Sequence, residues 1–252
     1  MLLPAMSLAG GLKGKVTTSK EFMEAFIEGA DGSGQQKVDF YWQVENGVLP
    51  IMPPPLDIDE RVGIALFRKD GKVASGFLPE HPEIHGASIV PRTIVAPPKT
   101  TLKFHNTDPF VHELYSEDLG KLFEPELQST QQTRQVQFNN PGLYVIQCAM
   151  TPHLEGYVVI VPGVVAFANP ADDGSFLFED LEPGDYVVKF YFDGQEIASQ
   201  EATVVESEKE KDYAEVEVEL PAPPESGSGD AQTDEKAGGS ESGDEKEKGE
   251  GK

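Results

Sequence analysis

Cys148 is the one cysteine in a chain of 252 residues, and His153, one of five histidines, follows it five positions later in the stretch from Tyr144 to Tyr157. A thiolate at the end of a β-strand, with an imidazole on the loop that follows, offers the soft and borderline donors that suit a copper ion. A mononuclear centre of this kind needs a second imidazole from elsewhere in the chain, and His112 is the candidate. A single thiol leaves no internal disulfide to form and excludes a binuclear centre bridged by two thiolates.

The remaining polar residues with chemical potential fit blander roles. His105 alternates away from Phe104 at a strand end and is expected at the surface. His81 and His85, with Glu80 and Glu83, have a spacing that could make an accessory metal site, but a loop is the favoured reading. Met150 is a thioether near Cys148 whose place on the loop favours packing, and Glu113 and Glu155 are carboxylates expected to be solvated. No paired catalytic acids, no nucleophile with its base and no phosphate-cradling glycine loop stand out, so an enzyme is not expected.

Positioning these residues calls for short strands. Val38–Val44, Gly63–Arg68, Ile89–Val95, Thr101–His105, Gln135–Phe138, Leu143–Cys148 and Gly156–Val161 fit half-buried strands separated by turn residues. Asn106-Thr-Asp-Pro109 is a turn, and His112 opens the strand after it. Tyr144, Ile146 and Cys148 share one strand face, so an inward Ile146 carries the thiol inward too. From Val164 a second β pattern begins, with an Asp173-Gly174 turn, a Pro183-Gly184 turn and strands through Leu220, and it contains no histidine or cysteine. Thr18-Ser-Lys-Glu21 has capping-box form ahead of Phe22, Met23, Phe26 and Ile27, which predicts one short amphipathic helix.

The formal charge of −24 opposes binding to nucleic acid or to an anionic membrane surface. No run approaches the ~20 apolar residues that span a bilayer. Residues 221–252 lack aromatic and large aliphatic side chains and are expected to be a disordered acidic tail. Their nine acids and four bases account for only part of the charge, so the folded portion is acidic in its own right. Ser7-Leu8-Ala9 before Gly10 looks like a small-residue cleavage site, which raises the expectation of an export signal upstream; a frayed N-terminus is the alternative.

Taken together, these residues resemble the small blue copper proteins, the cupredoxins, and more narrowly the type joined to a carboxypeptidase-regulatory-like, transthyretin-like β-sandwich. Phe104, Asn106, Asp108 and His112 resemble the family's F-x-N-x-D-x-x-x-H; Phe138-Asn-Asn-Pro-Gly142 resembles its F-x-x-P-G turn; Asp172-Asp-Gly-Ser-Phe176 and Pro183-Gly-Asp-Tyr186 resemble hairpins of the second module. The family's usual C-x-x-H-P-x-M continues here as Cys148-Ala-Met-Thr151-Pro-His153-Leu154, so threonine and leucine stand where histidine and methionine are usual. The resemblance implies one copper ion on His112, Cys148 and His153, with Leu154 as a non-coordinating axial neighbour or Met150 nearby.

The expected architecture is all-β. It comprises residues 1–36 with the short helix, a cupredoxin-like Greek-key barrel or sandwich over 37–162, a small β-sandwich over 163–220, and the tail over 221–252. The expected function is an exported, periplasmic copper-binding protein that carries electrons or copper between a redox partner or a copper donor and acceptor. The alternative is a metal-free cupredoxin-like interaction protein of the cell envelope.

Overall fold

The computed structural model describes residues 10–22, 58–72, 81–206 and 213–222. The strand expected at Val38–Val44, most of the expected helix, residues 1–9 and the bulk of the acidic tail lie outside the described residues. The architecture is all-β. In chain order the strands are β1 (Gly10–Thr18), β2 (Val62–Arg68), β3 (Glu83–His85), β4 (Ser88–Val90), β5 (Thr93–Ala96) and β6 (Thr100–Asn106). They continue with β7 (His112–Tyr115), β8 (Glu126–Gln128), β9 (Thr133–Phe138), β10 (Gly142–Cys148) and β11 (Glu155–Ile160). The last five are β12 (Val164–Ala168), β13 (Ser175–Leu181), β14 (Gly184–Phe192), β15 (Gln195–Val204) and β16 (Tyr213–Leu220).

Two sheets, β4-β3-β6-β9 and β5-β11-β10-β7-β8, form the first sandwich. Its core draws Ile84, Leu102, Phe104 and Phe138 from one sheet and Ile94, Leu114, Tyr144, Ile146, Cys148 and Val158 from the other. Alternation along β10 is as its sequence predicts: Tyr144, Ile146 and Cys148 are buried while Leu143 is exposed. Two further sheets, β12-β2-β14-β15 and β13-β1-β16, enclose a second core around Leu12, Ile64, Leu66, Phe176, Phe178, Tyr186, Phe190 and Val216.

Sheet membership does not follow the chain's linear order. β1 lies between β13, antiparallel, and β16, parallel, and β2 pairs with both β12 and β14. Strands from the first 68 residues thus complete the sandwich built from residues 164–220, and the first sandwich, 83–160, is threaded between them. Ala65, Val95, Val159, Val164 and Tyr191 form a third buried cluster where the outer faces of β2, β12 and β14 meet those of β5 and β11. That contact explains why β2 and β5 read as nearly continuous apolar runs: both faces are covered.

Two local expectations need correction. The stretch Ile89–Val95 is not one strand, because Pro91 has no N–H to donate to a ladder; β4 ends at Val90 in one sheet and β5 starts at Thr93 in the other. The helix cap is Ser19 rather than Thr18: its Oγ accepts from the Phe22 N–H at 3.0 Å, while Thr18 is still the last residue of β1. Among the described residues, no helix is long and apolar enough to cross a membrane.

Candidate metal centre

The centre is built at one end of the first sandwich, where β7 and β10 run antiparallel and Cys148 stands opposite Leu114. The turn before β7 places the first donor. Asn106, fully buried, accepts the Asp108 N–H on Oδ1 at 2.9 Å and donates from Nδ2 to the carbonyls of Phe110 and Gln128, each at 2.9 Å. This asparagine shapes the chain between β6 and β7, which fixes where Asp108 and His112 point. The Asp108 carboxylate accepts the N–H groups of Gly86 and Ala87 at 2.6 and 2.9 Å, and His112 Nε2 lies 2.8 Å from its Oδ2.

With Nε2 held by a carboxylate, His112 turns Nδ1 toward the thiol: Nδ1 and Cys148 Sγ are 3.7 Å apart, and both residues are buried. The ring of Phe110 covers the imidazole, with centroids 5.0 Å apart. Sγ accepts the N–H of Glu113 at 3.4 Å, with the Met150 N–H and the Thr151 hydroxyl as further electrostatic contributors to the thiolate. Burial alone would push the thiol pKa up, but His112 and these donors outweigh it and bring the thiol down to about 7. Burial likewise disfavours the imidazolium, yet contacts with Cys148 and Asp108 hold His112 above its ordinary value. The pair therefore favours charge on both partners.

The other sequence-identified residues are placed differently. Thr151 O accepts the Leu154 N–H at 2.9 Å, closing a turn with Pro152 and His153 at its corners. Leu154 returns to the core, 1% exposed, and His153 sits half-buried at the corner. Among the described residues, no three His, Cys, Asp or Glu side chains are grouped so as to hold a metal ion. His112 and Cys148 come together, and His153 does not join them in such a group. Met150 is 52% exposed. Glu155, expected to be solvated, is largely enclosed, meeting Gln147, the Tyr157 hydroxyl and Arg92. His105 is half-buried and bonds Thr133 Oγ1 at 2.9 Å, and exposed His85 lies 3.3 Å from Thr107 Oγ1.

Sequence reasoning left one contributor without a role. Asp108 orients His112, a relation legible in hindsight from the i, i+4 spacing across a turn. As a copper site the donor set fits in part: thiolate and oriented imidazole are present, and the second imidazole is not brought to them.

No protein-family model and no curated protein matches the chain. Among solved structures, a copper-containing nitrite reductase from Thermus scotoductus SA-01 matches over 33% of this chain at 25% identity with a TM-score of 0.29. The chain spans only 22% of that protein. A reduced amicyanin variant matches at 15% identity and TM-score 0.30, covering 38% of this chain and 99% of its own. An oxidised amicyanin variant matches at 17% identity and TM-score 0.30, covering 40% and 99% respectively.

Proposed function

We propose that this chain is a non-catalytic, exported copper-binding protein whose first sandwich holds a single ion on Cys148 and His112, with a copper donor, a copper acceptor or a redox protein as its partner. The observation that carries the reading is the chain of contacts from Asp108 through His112 to Cys148. A ligating histidine characteristically gives its second ring N–H to a carboxylate, which fixes the tautomer and leaves the other nitrogen for the metal. Here that other nitrogen faces a buried thiol whose pKa is held low by donors rather than by exposure. Bound copper would supply a soft, thiolate-ligated centre that can be carried or reduced and oxidised.

The test is direct. Reduced protein is mixed with copper under anaerobic conditions, desalted and assayed for retained metal. One equivalent retained by the wild type and lost in Cys148→Ser supports the reading. No copper retained in either valence overturns it in favour of a metal-free interaction protein built on the same fold. That second reading is favoured by the described residues, which bring no three metal-ligating side chains together.

A further inference from the structure

Gln128 is the last residue of β8, stands opposite His112 in the pairing of β7 with β8 and is 2% exposed. Its amide is used from one end. Nε2 donates to the carbonyls of Phe104 and Gln132, each at 2.8 Å, whereas Oε1 has no hydrogen-bond partner among the described residues. Two carbonyl acceptors fix which end of the amide faces them, so the group is held there for its N–H donors even though an acceptor is buried unsatisfied. Phe104 belongs to β6 of the opposite sheet, and Gln132 immediately precedes β9 of that same sheet. One amide therefore ties the edge of one sheet to the other, level with His112.

The corner that Gln128 fastens, residues 129–132, grips Asn106 through backbone and side chain together. The Asn106 N–H donates to Gln132 O at 2.9 Å, its carbonyl accepts the Gln131 N–H at 2.7 Å, and its Nδ2 donates to Gln128 O at 2.9 Å. Gln132 Oε1 closes the corner by accepting the Ser129 N–H at 2.7 Å. Asn106 in turn holds the Asp108 N–H, and Asp108 holds His112 Nε2. Resting on the reading above that His112 and Cys148 are the working pair, we propose that Gln128 is the positioning residue of that pair, setting the imidazole through Asn106 and Asp108. Both ring nitrogens of His112 are engaged elsewhere, so the influence of Gln128 runs through those two side chains. Buried hydrogen bonds in series polarise one another, and loss at one end weakens the other.

The test follows the proton on His112 Nε2 by nitrogen–proton NMR in the copper-free full chain. In the wild type this proton is held on Asp108 and exchanges slowly with water. Gln128→Met keeps the length of the side chain and removes both donors. Its ring resonance is expected to shift and its ring proton to exchange roughly 10-fold faster or more. Val136→Ala, a truncation in the same core on β9, lowers stability and leaves the ring signal as in the wild type. Should Gln128→Met fail to fold, Gln132→Ala decides: this exposed residue loses the side-chain bond that closes the corner, and the ring signal moves in the same direction by less. An unmoved signal in whichever of these two variants folds, an equal shift in Val136→Ala, or no protected ring proton in the wild type overturns the positioning role. Copper retained by the wild type alongside one of those results leaves the copper reading standing. No copper retained alongside the expected NMR pattern overturns that reading and leaves the positioning role in place, so the two failures are told apart.

Discussion

Asp108 Oδ2 lies 2.8 Å from His112 Nε2, and the same carboxylate accepts the N–H groups of Gly86 and Ala87 across the turn between β3 and β4. One side chain therefore ties that turn to the orientation of the imidazole. Asp108→Asn retains an oxygen for one N–H but leaves another donor short and changes which ring nitrogen bears the proton. On the copper reading proposed above, copper affinity falls about 10- to 100-fold, the usual effect of losing a partner behind a metal ligand. Stability is expected to drop by roughly 1–3 kcal/mol from the unsatisfied buried donor. Chelator competition and denaturant unfolding on the same preparation check the two effects.

The Cys148 thiol should titrate low. Its pKa of about 7 lies below the ordinary thiol value, because His112, the Glu113 and Met150 N–H groups and Thr151 stabilise the thiolate more than burial opposes it. Thiolate absorbance in the ultraviolet is expected to rise through pH 7 in the folded apoprotein, and the midpoint should move upward in His112→Asn. The sign for stability follows from the depressed folded value: this group's contribution is fully present above the unfolded thiol pKa and is lost as pH falls through about 7. A midpoint at the ordinary thiol value in the folded protein would contradict the geometry.

Much of the centre was legible because strand periodicity is local. Alternation through Tyr144, Ile146 and Cys148 determines which way the thiol points, and the Asn106–Pro109 turn determines where the next strand starts, so His112 and Cys148 could be paired from the sequence. The placement of His153 was not legible, since it follows from a turn closed by one hydrogen bond between Thr151 O and the Leu154 N–H, which periodicity does not report. Sheet membership was hidden for a different reason. Alternation tells which face of β1 is buried but not that its neighbour is β16, about two hundred residues away.

That pairing is testable at Gly14. A Cβ there would lie 2.1 Å from the Val216 carbonyl oxygen and 2.4 Å from Phe176 Cζ, so even alanine forces the β1 backbone away from both of its partner strands. Overpacking of this kind typically costs about 1–3 kcal/mol. Gly14→Ala should lower the thermal midpoint and expose the second core while leaving Cys148 and His112 untouched. If Gly14→Ala unfolds at the wild-type temperature, β1 does not lie between β13 and β16.

The joint between the sandwiches carries its own prediction. Asp193, in the turn between β14 and β15, accepts from Arg61 just before β2, and its Oδ1 lies 3.3 Å from Nε of Arg92, between β4 and β5. All three side chains are mostly buried, so one carboxylate neutralises cations from both sandwiches in a region where charges interact strongly. Asp193 has a positive φ of 45°, a conformation that asparagine tolerates, which makes Asp193→Asn a test of charge rather than of backbone fit. Removing one partner of an enclosed ion pair costs up to about 3–5 kcal/mol. The exposure of Asp193 at roughly a fifth of its side chain argues for the lower part of that range or below. The expected outcome is a loss of about 1–3 kcal/mol in denaturant unfolding, with a partial return in high salt, where repulsion between the two guanidiniums is screened. An unchanged midpoint would mean that the apolar cluster of Ala65, Val95, Val159, Val164 and Tyr191 holds the two sandwiches together without help from the ions.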